Sequence, residues 1–264
     1  MIKKECFTAE WIEQVSSELH YNDKNLIEKV IRALSLLEML VKAGCPLVFK
    51  GGTALMLILG KSAHRLSIDI DLICPPGTNI EDYLKSFADF GFINLELVER
   101  KQRDDADIPK SHSKFFYQIA YRNDTDAQSY ILLDVLYEDI HYFRTQQIAI
   151  NCPFIRLEGK PLMVTVPSAE DILGDKLTAF APNTTGIPYY KNGRSCSMEI
   201  AKQLYDVGRL FENVSDLQIT KEAFRKIAVV ELSYRSFGTD IGQVFNDIRQ
   251  TALCLSLIHI SEPT

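Results

Sequence analysis

Apolar residues recur at helical spacing between Asn25 and Lys42 (Leu26, Ile27, Val30, Ile31, Leu34, Leu37, Leu40, Val41), and Gly44 follows as a stop. The spacing predicts an amphipathic helix there. Leu47-Val48-Phe49 then reads as a short buried strand and Ala54 to Leu59 as an apolar helix, which places Gly51-Gly52-Thr53 on a strand-to-helix turn. Ile68, Ile70 and Leu72 alternate with Asp69 and Asp71, as strand residues do. Ile80 to Phe90 reads as another helix, and Ile93 to Glu99, Phe115 to Tyr121 and Tyr130 to Tyr137 as alternating strands. Between them, Arg100 to Lys114 and Arg122 to Gln128 are charged and apolar-poor, as loops are.

The pattern changes near Val166-Pro167-Ser168. Ser168 with Asp171 makes a capping-box-like start, with Asp where the box has Glu or Gln. Ile172 to Phe180, Met198 to Phe211, Lys221 to Tyr234 and Ile241 to Leu253 follow as successive helices, and Pro182 to Gly193 reads as a loop. The expected fold class is α+β: a mixed-sheet core with an N-terminal helix over residues 1–166, then a helical domain over 167–254. Trp11, the single tryptophan, is expected to anchor the N-terminal segment.

The alternation around residue 70 has a chemical consequence. On a strand, Asp69 and Asp71 point to one side and Ile68, Ile70 and Leu72 to the other. Two carboxylates so close repel each other unless a cation lies between them, and hard oxygen ligands suit Mg2+ better than zinc. Leu132-Leu133-Asp134-Val135 supplies a third carboxylate on a later strand. The glycine turn complements this, because Gly51 and Gly52 let backbone N–H groups approach a phosphate at the positive end of a helix. Metal-dependent phosphoryl transfer is the reaction class these features suggest together. Each half alone is weak, since a Gly-Gly turn and an Asp-x-Asp strand both have ordinary structural uses.

Composition narrows the picture. The chain has 264 residues, 46% of them hydrophobic, enough for one sizeable core or two modest ones. A formal charge of −6 argues against broad, nonspecific coating of nucleic acid. Cys6, Cys45, Cys74, Cys152, Cys196 and Cys254 show neither zinc-ligand nor disulfide-framework spacing. No apolar signal core follows Met1 and no stretch approaches membrane-spanning length, so a cytoplasmic protein without a membrane partner is expected. Gly60-Lys61-Ser62 imitates the end of a P-loop, but Leu55 stands where that motif needs glycine.

At Gly51-Gly52, Asp69-x-Asp71 and Asp134 the chain resembles the nucleotidyltransferase superfamily that includes DNA polymerase beta. More narrowly, Lys50-Gly51-Gly52-Thr53-Ala54-Leu55 with Arg65-Leu66-Ser67-Ile68-Asp69-Ile70-Asp71-Leu72 is similar to the AbiEii/AbiGii toxin family of type IV toxin–antitoxin pairs. The resemblance covers about residues 25 to 250. It implies transfer of a nucleoside monophosphate from an NTP to an acceptor hydroxyl, with two Mg2+ ions held by Asp69, Asp71 and Asp134 and with the triphosphate at Gly51, Gly52, Thr53, Arg65 and Ser67. It further implies a lysine and an aspartate on the C-terminal helices that complete the nucleotide site; Lys176 and Asp206 match best. An RNA acceptor, the 3′ end of tRNA in relatives, and an antitoxin encoded nearby are implied as well.

Several of these residues also have plainer readings. Lys202 and Asp206 have the i,i+4 spacing of a solvated ion pair. Arg65 reads equally as a salt-bridging residue and as a ligand contact, and His64 beside it as structural, solvated or phosphate-touching. At the level of function, a small-molecule (antibiotic) nucleotidyltransferase shares every catalytic residue, and a noncatalytic nucleotide-binding regulatory module shares the fold. The terminal stretch 255–264, Leu-Ser-Leu-Ile-His-Ile-Ser-Glu-Pro-Thr, matches the translation of a transposase adapter used in sequencing libraries. We therefore expect this tail not to be native, and assign no role to His259 or Glu262.

Overall fold

The computed structural model describes residues 1–60, 63, 65–98, 109–121, 127–235, 238 and 240–261, with side chains described to residue 255. The loops expected at Arg100 to Lys114 and Arg122 to Gln128 lie largely outside these residues, as do Lys61, Ser62, His64 and Glu262. The chain divides into two compact units. The first draws on Met1–Lys101, Pro109–Ile140 and Thr145–Val166, the second on His141–Arg144 and Pro167–Thr264.

The first unit is a mixed sheet with helices. Helix α1 (Ala9–Leu19) starts at Thr8, whose side chain accepts from the Trp11 N–H. Trp11 itself is buried and donates its indole N–H to the Phe154 carbonyl, 2.9 Å away, which ties the N-terminal segment down. Helix α2 (Lys24–Lys42) is capped by Asp23 and follows the expected span. Strands β1 (Val48–Lys50), β2 (Ile70–Cys74), β3 (Asn94–Leu97), β4 (Lys110–Gln118) and β5 (Gln128–Tyr137) form a five-stranded sheet in the order β1-β2-β5-β4-β3. Only β2 and β5 run parallel; the other neighbours are antiparallel.

One face of this sheet is apolar. Phe49, Ile70, Leu72, Phe115, Tyr117, Ile131, Leu133 and Val135 are all buried, in one core with the apolar side of α2. Full burial of one such side chain stabilises by roughly 1.5–3 kcal/mol, so this face fixes the strand register, because a one-residue slip would carry aspartates into the core. Behind it, Glu28 and Arg32 of α2 make a buried pair at 3.5 Å. Glu28 also accepts from the Ala120 N–H at 3.0 Å. Burial pushes the Glu28 carboxyl above its ordinary range, opposed by the Ala120 N–H and Arg32.

Two expectations are corrected here. Ile80 to Phe90 is not one helix but two short 3-10 turns, Ile80–Tyr83 and Phe87–Phe90. Within each turn the apolar pair, Ile80 with Tyr83 and Phe87 with Phe90, is three residues apart, a spacing that suits a 3-10 turn as well as an α-helix. Strand β4 begins at Lys110, not Phe115, so residues 110–114 are strand rather than loop. Strands β6 (Thr145–Ala149) and β7 (Met163–Pro167), which pair with each other, were not anticipated at all.

The second unit is helical: α4 (Ala169–Ala179), α5 (Ser197–Phe211), α6 (Leu217–Ser233) and α7 (Ile241–Ser261), with a small hairpin of β8 (Tyr190–Lys191) and β9 (Arg194–Ser195). Ala181, Phe224, Ala228, Leu232 and Val244 form one core cluster within it. Gly174 lets α4 press against α6, where a β-carbon would come within 2.7 Å of the Phe224 nitrogen. Ser168 caps α4 by accepting from the Asp171 N–H. Asp171 does not complete a reciprocal box: its buried carboxylate accepts from the Phe143 and Arg144 N–H groups at 2.7 and 3.0 Å. Among the described residues no helix is long and apolar enough to cross a membrane.

Candidate active site

The second face of the sheet is polar where the strands are central. Lys50 of β1 pairs with Asp71 of β2, Asp71 with Asp134 of β5, and Asp134 with His112 of β4. Paired residues project to the same side, so lysine, aspartate, aspartate and histidine form one row across four strands. Neighbouring strands lie roughly 4.8 Å apart, so the two carboxylates rise from backbones at about that separation. Asp71 and Asp134 are half-buried, whereas Asp69, just before β2 begins, is exposed.

Helix α3 (Gly51–Leu59) meets this row end-on. It begins at Gly51 rather than Ala54, so both glycines belong to its first turn. Gly51 has a φ of +79° and lies so close to Asp71 that a β-carbon would sit inside contact distance of Oδ2 and 2.8 Å from Cγ. At Gly52 a β-carbon would meet Ser67 Oγ at 2.6 Å and Arg65 Nη2 at 3.0 Å. Thr53 is buried and donates its hydroxyl to the Asp69 carbonyl at 2.7 Å. Gly51, Gly52, Thr53, Arg65, Ser67 and Asp71 thus meet at one helix N-terminus, with Asp69 touching it through its backbone carbonyl and Asp134 one strand beyond Asp71. The first-turn N–H groups of α3 favour an anion there, next to carboxylates that favour a cation.

Lys176 and Asp206 lie in the second unit, and the structure joins them to each other. Lys176 Nζ on α4 is 3.0 Å from Asp206 Oδ2 on α5 and donates to Gln203 Oε1 at 3.0 Å. The Asp206 side chain is 1% exposed. Lys202 is exposed, so the ion pair that i,i+4 spacing suggested gives way to a cross-helix pair that no local spacing encodes. Removing one member of a buried pair strands the other charge. Lys176→Ala is expected to destabilise the protein by about 3 kcal/mol while Lys202→Ala stays near native. Urea unfolding followed by circular dichroism measures this; equal midpoints for the two variants would refute it.

His112 was missed in the sequence. Its Nδ1 lies 2.5 Å from Asp134 Oδ1, and its side chain is 11% exposed. The local signal is alternation through Lys110, His112 and Lys114, and the positions between them, Ser111 and Ser113, carry no apolar side chain on the opposite face to mark a strand.

The fit to a divalent cation can be judged from the donors. Among the described residues no three His, Cys, Asp or Glu side chains form a ready-made metal cage. Asp71 and Asp134 nevertheless offer oxygen donors from adjacent strands on one face. That suits Mg2+, which takes one or two carboxylates, keeps waters and completes its shell with substrate phosphates.

One solved structure agrees on the fold. The nucleotidyltransferase toxin MenT4 (Rv2826c) from Mycobacterium tuberculosis H37Rv aligns with a TM-score of 0.51 at 16% identity, over 81% of this chain and 68% of that one. JHP933 from Helicobacter pylori aligns at 0.43 and 17% identity over 99% and 100% of the two chains. A second structure from H. pylori aligns at 0.41 and 17% over 92% and 97%. No curated protein matches. The decisive likeness is in sequence: the profile of the family described as "Nucleotidyl transferase AbiEii toxin, Type IV TA system" matches residues 33–251, and the chain belongs to that family of nucleotidyltransferase toxins.

Proposed function

We propose that this toxin is a Mg2+-dependent enzyme that transfers a nucleoside monophosphate from an NTP to a hydroxyl of RNA, at the 3′ end of tRNA, in the cytoplasm. Family membership implies an NTP substrate and an antitoxin. The observation that carries the finer reading is the seating of the α3 N-terminus against Asp71, because it brings an anion-favouring and a cation-favouring feature to one point.

In this reading the first-turn N–H groups of α3, with Thr53, Ser67 and Arg65, hold triphosphate oxygens. Asp69, Asp71 and Asp134 would hold the Mg2+ ions, which when bound neutralise the triphosphate and lower the pKa of the attacking hydroxyl. The acceptor oxygen forms a bond to the α-phosphorus as the bond to pyrophosphate breaks, and Asp134 receives the hydroxyl proton. The family resemblance alone assigns Lys176 and Asp206 to the nucleotide; what the structure gives is their pairing with each other.

The acceptor is tested with labelled NTPs and total bacterial RNA, followed by induced expression in a bacterial host. Label in the tRNA fraction and growth arrest are the expected results. Label in an added antibiotic together with raised drug tolerance and normal growth would replace RNA by a small-molecule acceptor.

A further inference from the structure

We infer that His112 is a positioning residue for Asp134, holding its carboxylate in the orientation that the cation site requires; this rests on the reading of Asp134 as a metal ligand. The two residues are register partners on β4 and β5, so the sheet itself sets their approach. A carboxylate only accepts, so the imidazole donates Nδ1–H to Oδ1 across 2.5 Å. That bond fixes the ring tautomer and one carboxylate oxygen, and directs the remaining lone pairs of Asp134 toward the face shared with Asp71. Ligand carboxylates are commonly held by such outer hydrogen bonds, whose loss typically lowers metal affinity or activity 10–100-fold.

The neighbours make His112 the specific partner. Lys114, two residues along the same face, turns to Glu96 at 3.3 Å and over the Tyr130 ring at 5.5 Å. Ser111 points to the opposite face and meets the Tyr137 hydroxyl at 2.8 Å. With the His112 side chain 11% exposed against 29% for Asp134, the histidine lies deeper than the carboxylate it holds. It is therefore placed to orient Asp134 without meeting substrate.

The test compares His112→Phe, which keeps bulk and loses the donor, with His112→Asn, whose amide can place an N–H near the Nδ1 position. Mn2+ binding is read from the loss of its free paramagnetic signal, with the four α,β-methylene NTPs present in equal amounts. His112→Phe is expected to weaken Mn2+ binding by about 10–100-fold and His112→Asn to recover it to within about threefold. Nitrogen-15 spectra of the metal-free wild type should show a proton on Nδ1. Wild-type Mn2+ affinity in His112→Phe, while Asp134→Asn loses binding, would overturn the positioning role and leave the metal reading intact. Tighter binding in His112→Phe would overturn it too, by showing that the histidine competes with the cation. No recovery in His112→Asn would also count against it. Unchanged binding in Asp134→Asn would instead remove the metal reading on which the inference stands.

Discussion

Asp71→Asn should lower nucleotidyl transfer by more than about 1000-fold, beyond the 10–100-fold typical of groups that only support a ligand. Asp71 is the point where three features meet. Its strand pairing places it between Lys50 and Asp134, and its carboxylate packs on Gly51 at the start of α3. The exchange to asparagine preserves shape and removes an anionic donor, so a loss of rate reports charge rather than packing. Asp69→Asn should be comparably inactive. Melting temperatures close to wild type would show that the fold is intact. Substantial residual transfer in both variants, with unaltered dependence on Mg2+, would sink the two-carboxylate mechanism. In cells, Asp71→Asn should relieve growth arrest.

The parts of this site that were legible in the sequence are those whose geometry is local. Asp71 faces away from Ile70 and Leu72 because strand alternation demands it, whereas Asp69 lies just before β2 and is not held by that alternation, and Gly51-Gly52 precede an apolar run that can only be a helix or a buried strand. Helix α2 was legible because its apolar residues recur over 19 residues, long enough to separate a 3.6-residue period from any other. What escaped depends on partners distant in sequence. His112 sits in a polar run, Lys110-Ser-His-Ser-Lys114, that becomes a strand because β5 lies alongside it, not because of its own propensity. Asp206 has a lysine one turn away on its own helix and pairs instead with Lys176 of α4. The paired strands β6 and β7 are separated by a stretch with two prolines, Pro153 and Pro161, and neither is long enough to announce itself. The 3-10 turns at residues 80–90 show the converse, where a short apolar spacing fits two helical periods and packing chooses between them.

Gly51→Ala should be nearly as damaging as loss of Asp71 itself, and for a separable reason. Two costs act at Gly51. A residue with a β-carbon at φ +79° is strained by about 1–2 kcal/mol. The same β-carbon would also overlap the Asp71 carboxylate, which must then leave its place in the row or push α3 away from it. Gly44 separates the two costs, since its φ is +76° and nothing lies within 4 Å of an added β-carbon. Gly44→Ala therefore pays strain alone and should shift the urea midpoint modestly with transfer near wild type. Gly52→Ala should fall between them, because the atoms it meets belong to the side chains of Ser67 and Arg65, which can turn aside. The order expected for transfer is Gly44→Ala above Gly52→Ala above Gly51→Ala, with Gly51→Ala reduced by roughly 100-fold or more, as for loss of a preorganised electrostatic group. Equal activities at Gly44→Ala and Gly51→Ala would mean that the contact between α3 and Asp71 carries no catalytic weight, and that the glycine serves the chain's turn alone.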